Sequence, residues 1–170
     1  MKTLFLILSV FFISTCFAQR TTTKEAWLEK WKNSKNYLVG IAEAMPEEHY
    51  SYKPTERQMT FKEQLVHIKG NMDWLSNSYF TELEFKKTKA EIPATKAETI
   101  ALITEAFDNA SKIITTASDK SLLETVDFFA GPKSKLQILN LLHDHVTHHR
   151  GQLIVYLNLK DVEPPGYSGW

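Results

Sequence analysis

Four of the six histidines in this chain fall within seven positions, in the run His143-Asp144-His145-Val146-Thr147-His148-His149-Arg150-Gly151-Gln152. His145 and His149 are four apart. On a helix that spacing puts both on one face, a turn apart, with β-carbons about 5–6 Å from each other. Two imidazoles so placed can reach one divalent ion at about 2.0–2.1 Å. Such a clamp needs a further protein ligand. The candidate is His67, the only other histidine that falls on an expected helix outside the last one. Three neutral imidazoles plus a water would make an open site of the catalytic type.

Spacing alone also supports plainer readings. His67 reads equally as a satisfied core histidine, and the pair on the last helix as part of a solvated polar face. His148 lies near both ligand candidates on the helical wheel, so which two of the three would bind stays open. His143, about 200° from His145 on the wheel, faces solvent or a neighbouring helix, and His49 falls in a loop. Position 146 is Val, so the glutamate of a His-Glu-x-x-His peptidase is missing. A zinc or nickel ion is expected, and iron or manganese could occupy the same nitrogens, because ligand type alone does not choose among them.

The bulk composition frames this site. The chain has 170 residues, enough for one domain with a real core and too few for two comfortable ones. Hydrophobic residues make up 43% and charged residues 24%, ordinary for a globular protein. Lys plus Arg and Asp plus Glu are 20 each, so no charge excess exists to draw nucleic acid or an anionic membrane.

Residues 1–18 read as a signal peptide. Lys2 supplies a positive start, Leu4 to Phe12 an apolar run, and Cys16-Phe17-Ala18 the small residues before a cut at Gln19. The run is too short for a comfortable span of about 20 residues, so no stable membrane insertion is expected after cleavage. An uncleaved anchor and a lipoprotein cut before Cys16 are the alternatives. Cleavage after Ala18 removes the only cysteine. The remaining domain, residues 19–170, would hold no disulfide and no thiolate, and any metal site must be built from His and oxygen ligands. The expected location is exported, either periplasmic or extracellular, which suits a chain without thiols.

Four segments carry helical periodicity, each opened by a capping box: Thr22-x-x-Glu25, Thr60-x-x-Glu63, Thr95-x-x-Glu98 and Ser134-x-x-Gln137. The first carries Trp27, Leu28, Trp31, Tyr37, Leu38 and Ile41 and stops near Pro46. The second buries Phe61, Leu65, Ile68, Met72, Leu75 and Tyr79 beside a mixed stripe of His67, Asn71, Trp74 and Ser78. The third buries Ile100, Ile103, Phe107, Ala110 and Ile114. The fourth runs to about Asn158 on Leu139, Leu142, Val146, Leu153 and Leu157. No β alternation is evident. The fold class is all-α, a four-helix bundle whose longer links leave room for crossovers. In bundles, metal sites are built from inward side chains on facing helices.

These residues carry a resemblance. His145-Val-Thr-His-His149-Arg150-Gly151-Gln152 followed by Leu-Ile-Val-Tyr-Leu resembles the last-helix signature of the DinB-like metal-binding superfamily, a His-x-x-x-His pair followed by Arg-Gly-Gln. Phe61-Lys-Glu-Gln-Leu-Val-His67-Ile is similar to its second-helix segment, which donates the first histidine. Pro46-Glu-Glu-His-Tyr50 through Lys53-Pro54 resembles the loop after its first helix. The two histidine segments lie about 80 residues apart, and the likeness covers nearly the whole chain after the leader. It implies His67, His145 and His149 as the ligands and a bundle of up-down-down-up connectivity, with a homodimer as a common state. Asn71, His148, Arg150 and Gln152 are candidates to orient ligands from behind, and Gly151 would let a neighbouring helix approach closely.

The resemblance also implies thiol-dependent S-transferases and isomerases, in which the ion binds a thiol and lowers its pKa. The leader would carry this chain out of the cytosol, where such thiols are kept reduced. Two functions follow. One is a metal-dependent enzyme, hydrolase or thiol/S-transferase-like, acting on a small-molecule substrate. The other is a non-catalytic module that binds metal or a small ligand. Trp27, Trp31, Tyr52 and Trp74 would line a pocket in the second reading and otherwise pack in the core. A purely structural metal is less suited, since no fourth ligand is evident.

Overall fold

Each of the four helices starts on the capping box that the sequence carries. Helix α1 spans Thr23–Ala44, α2 Phe61–Phe80, α3 Lys96–Thr116 and α4 Lys135–Leu159. In all four the Thr or Ser side chain accepts from the backbone three residues on, and the Glu or Gln there accepts from the cap's own N–H. Two donors that the helix start leaves without a partner are thus satisfied together. These elements come from a computed structural model, which describes residues 21–82, 85–86 and 91–169. The signal peptide expected at residues 1–18 and the final Trp170 lie outside the described residues.

The helix directions follow from which ends meet. Lys24, at the start of α1, donates to the carbonyl of Ala117 just past the end of α3, at 2.7 Å. Lys96, at the start of α3, donates to Met45 past the end of α1, at 2.8 Å. Those two helices are therefore antiparallel. Lys62, at the start of α2, donates to Pro93 and Ala94 just before α3, so α2 and α3 run together. Trp27 of α1 donates to Leu139 early in α4, and Tyr37 meets Arg150 later in it, so α1 and α4 are parallel. The connectivity is up-down-down-up. Helices α1 and α2 each pack against both α3 and α4. The consecutive pairs α1/α2 and α3/α4 therefore sit across the bundle, and their links must be long.

The core holds the apolar stripes that the periodicity identifies. Trp31, Leu38, Ile41, Phe61, Leu65, Ile68, Met72, Leu75, Ile103, Phe107, Leu139, Leu142, Val146 and Leu153 are buried. Trp27 stacks on Trp31 at 4.7 Å, and each indole N–H donates to a backbone carbonyl, of Leu139 and Phe107 respectively. Both tryptophans are buried in the core, and Trp31 also borders a shallow cavity with Lys32, Asn36 and Phe107 on the α1/α3 side. Burial of each such side chain contributes about 1.5–3 kcal/mol.

Two local expectations, on the link before α4 and on Gly151, are corrected, and the tail has a defined place. The link before α4 contains a short hairpin, β1 at Thr125–Val126 and β2 at Lys133–Ser134, paired antiparallel. Strands of two residues are too short for alternation to register in a sequence. The tail after α4 folds back over α1: the Tyr167 ring meets Tyr37 edge-on at 6.2 Å, and Pro165 lies beside Gly40. Gly151 is exposed with nothing near its missing β-carbon, so no helix approaches it.

Candidate metal centre

Helices α2 and α4 are antiparallel neighbours, and their shared groove collects the histidines. Residues four apart on α4 meet residues three and four apart on α2, because both rows run along the same seam. The ring centroids of His67 and His145 are 4.9 Å apart, those of His67 and His149 4.6 Å, and those of His145 and His149 4.5 Å. One ligand nitrogen from each ring lies within 4.8 Å of the other two. The Nε2 atoms of His67 and His145 face each other at 3.1 Å. His149 is buried, His145 half-buried and His67 exposed, so the cluster opens to solvent past His67.

The wall behind the cluster fixes His149. Its Nδ1 donates to Gln64 Oε1 at 2.5 Å. Gln64 is fully buried. Its Nε2 donates to Gln152 Oε1 at 2.7 Å and to the Tyr156 hydroxyl at 3.4 Å. That hydroxyl in turn donates to the Met59 carbonyl at 2.9 Å. With its amide nitrogen committed, Gln64 has only its oxygen to offer the imidazole. The His149 proton is thereby held on Nδ1, and the Nε2 lone pair is left for the cluster.

Burial acts in the same direction. It pushes the His145 pKa down to about 3, with the neighbouring His149, His67 and His148 charges adding to the effect. His149 is pushed down to about 4 by burial first, then by His67 and His148. Both are neutral at pH 7, the form in which an imidazole can ligate.

Two buried side-chain atoms among the described residues lack a hydrogen-bond partner, His145 Nδ1 and Asn71 Oδ1. Asn71 is one turn beyond His67 on α2, and the antiparallel register brings that turn opposite the turn of α4 that holds His145. A His145 that ligates through Nε2 carries its proton on Nδ1 and needs an acceptor behind it. Asn71 Oδ1 is an acceptor at that level. The donor set and these two orphaned atoms fit a divalent ion held by three imidazoles.

The structure also sorts the other candidates. His148 is exposed and takes a 2.8 Å hydrogen bond from Gln152 Nε2, so the α4 pair in the cluster is His145 and His149. Gln152 braces Gln64 rather than a histidine of the cluster. Arg150 turns away from the groove toward α1. It is buried, donates to Ser34 Oγ at 3.4 Å and lies over the Tyr37 ring at 4.9 Å. His143 is buried on that same side, with Nε2 3.0 Å from Ser34 Oγ. His49 stays outside, in a short 3-10 turn. Of the nearby acids, Asp73 pairs with Lys69 and Asp144 is exposed.

Sequence reasoning missed Gln64 as the group that orients His149. The usable signal was a glutamine three residues before His67 and flanked by core positions, where only a residue with a buried polar task is expected.

Comparison with known proteins bears on the family and the fold. The family model described as DinB family matches residues 19–169. The uncharacterised protein YjoA of Bacillus subtilis (strain 168) is 25% identical over 138 residues, 79% of this chain and 89% of that protein. The crystal structure of that DinB-like protein is similar with a TM-score of 0.69 at 21% identity, covering 85% of this chain and 99% of the other. A DinB-like protein from Bacillus cereus ATCC 10987 gives a TM-score of 0.75 at 19% identity, covering 84% and 96%. These two structures speak for the fold.

Proposed function

This chain belongs to the DinB family, and from that membership and its histidine cluster we propose a divalent-metal-binding protein that works as a metal-dependent enzyme on a small-molecule substrate. The observation that carries the reading is the convergence of His67, His145 and His149, with ligand nitrogens within 4.8 Å of one another and the exposed His67 side open. An ion held there would supply Lewis-acid activation of a water, thiol or hydroxyl. Gln64 would keep the His149 lone pair aimed at the ion, and Asn71 Oδ1 would serve as hydrogen-bond acceptor for the His145 Nδ1–H. Zinc or nickel is the ion that we favour, and hydrolysis or thiol transfer is the reaction class. We place the protein outside the cytosol, on the strength of residues 1–18. No helix among the described residues is long and apolar enough to cross a membrane.

One observation favours a second reading, a non-catalytic metal- or ligand-binding module. The metal-type cluster contains no carboxylate, so no acid within it could serve as general base. The test addresses both readings. Metal content of the purified protein is measured by elemental analysis, and ester and thiol-plus-electrophile substrates are then screened with and without chelator. Turnover that disappears with chelator and in His149→Ala, while the helical fold persists, supports the enzyme. Stoichiometric metal without turnover on either class supports the binding module. Absence of a bound divalent ion after loading rejects the enzyme and the metal-binding form of the module.

A further inference from the structure

Helix α2 and the link before α4 share an aromatic cluster that is half-buried except at Phe129. Trp74 stacks on Phe128 at 6.0 Å with the rings 18° from parallel. Phe129 lies 6.1 Å from Trp74 and 4.4 Å from Phe128, and Tyr79 packs on Phe128 at 5.7 Å. Phe129 is 82% exposed. The loop that presents it is a built turn: the Gly131 N–H donates to the Phe128 carbonyl at 2.9 Å, with Gly131 at φ 87°, and Lys133 Nζ reaches the Ala130 carbonyl at 3.2 Å. A turn fixed in this way presents the Phe129 ring, beside three half-buried aromatic rings, as an apolar surface that a ligand can cover.

The position of the cluster names the cover. Trp74 follows His67 by seven residues, so it lies within about 20° of His67 on the wheel and about 10 Å along α2. On α4, Leu141 is 37% exposed and sits one turn before His145. Helix geometry thus sets an apolar wall, Trp74 on α2 and Leu141 on α4, one to two turns beyond the histidines on the same side of each helix. The adjacent charges on α2, Lys69 and Asp73, pair with each other, so the wall carries little net charge.

We propose that this wall is the subsite for an uncharged aromatic tail of the substrate. The head of that substrate, an oxygen or sulfur ligand, binds at the histidine cluster about 10 Å away. The inference rests on the metal reading above and specifies its substrate class: molecules with a metal-coordinating head joined to a flat apolar end by a chain of about four atoms.

The test uses the metal-loaded protein, with ion content measured in each sample, and hydroxamates as probes. Acetohydroxamate supplies the head alone, and 5-phenylpentanohydroxamate adds a phenyl ring on a four-carbon spacer. Calorimetry is expected to show the phenyl compound binding roughly tenfold tighter or more. Phe129→Ala and Trp74→Ala should each remove most of that advantage and leave acetohydroxamate affinity unchanged. An equal affinity for both probes, or an advantage that survives both substitutions, overturns the proposal. So does a sedimentation result in which Phe129→Ala dissolves a dimer without altering the phenyl advantage, because the patch is then an interface between copies. A protein that takes up no ion fails the metal reading itself, a result separate from loss of the ring effect.

Discussion

Gln64 Oε1 accepts a hydrogen bond from His149 Nδ1 at 2.5 Å, and the Gln64 amide nitrogen is committed to Gln152 and Tyr156. One buried amide on α2 thus decides which nitrogen of a histidine on α4 is available. Groups behind a ligand typically govern metal affinity by about 10–100-fold. Gln64→Leu is expected to lower affinity for zinc by that range with the helical content retained, measured by competition with a chromophoric chelator. Unchanged affinity would show that the Gln64 contact has no part in ligation.

A histidine scan separates ligands from neighbours. Alanine at His67, His145 or His149 should each reduce bound metal well below one equivalent, read by elemental analysis. His148→Ala should leave stoichiometry intact, because its contact is with Gln152 at the exposed rim. His143→Ala should also leave metal content intact and instead lower the unfolding midpoint, since it leaves the buried Ser34 hydroxyl without its imidazole. Loss of metal in His148→Ala would reassign the pair on α4.

The metal-free protein should lose stability as pH falls below neutral. His145 and His149 titrate near 3 and 4 when folded, against 6.5 for the free side chain. The unfolded chain therefore binds more protons than the folded one between about pH 6.5 and those values, and unfolding gains in that window as pH drops. Glu63 and Glu98, held low chiefly by hydrogen bonds from the helix caps, add a further loss only below about pH 4.5. Urea unfolding in chelator at pH 7.5 and pH 5 is the measurement. The pH 7.5 to 5 difference should shrink in His145→Ala, and a wild-type stability flat across that interval would contradict the assignment.

The cap at α2 has a stability consequence of its own. Thr60 Oγ1 accepts from the Glu63 N–H at 3.2 Å, and Glu63 returns a carboxylate to the Thr60 N–H at 2.7 Å. Thr60→Ala is expected to cost about 1 kcal/mol in denaturant unfolding. Metal stoichiometry should not change, because His67 lies nearly two turns inside the helix. A fall in bound metal would mean that fraying of the first turn reaches the site.

The sequence by itself determined the helices and the candidate ligands. Capping boxes and a 3.6-residue apolar period are local properties, so Thr22, Thr60, Thr95 and Ser134 marked four starts correctly. The spacing of His145 and His149, with the likeness of the segments around them and around His67 to a known family, singles out three histidines. Tertiary structure alone decided which face each polar side chain meets. His148 and His149 are adjacent in the chain, yet one contacts Gln152 at the rim and the other is buried against Gln64. Arg150 turned toward Tyr37 and not the histidines, and Gln64 emerged as the brace. Wheel positions give only an angle about one axis. The partner across the groove depends on the register and direction of the opposing helix, which long-range packing sets and no local spacing records.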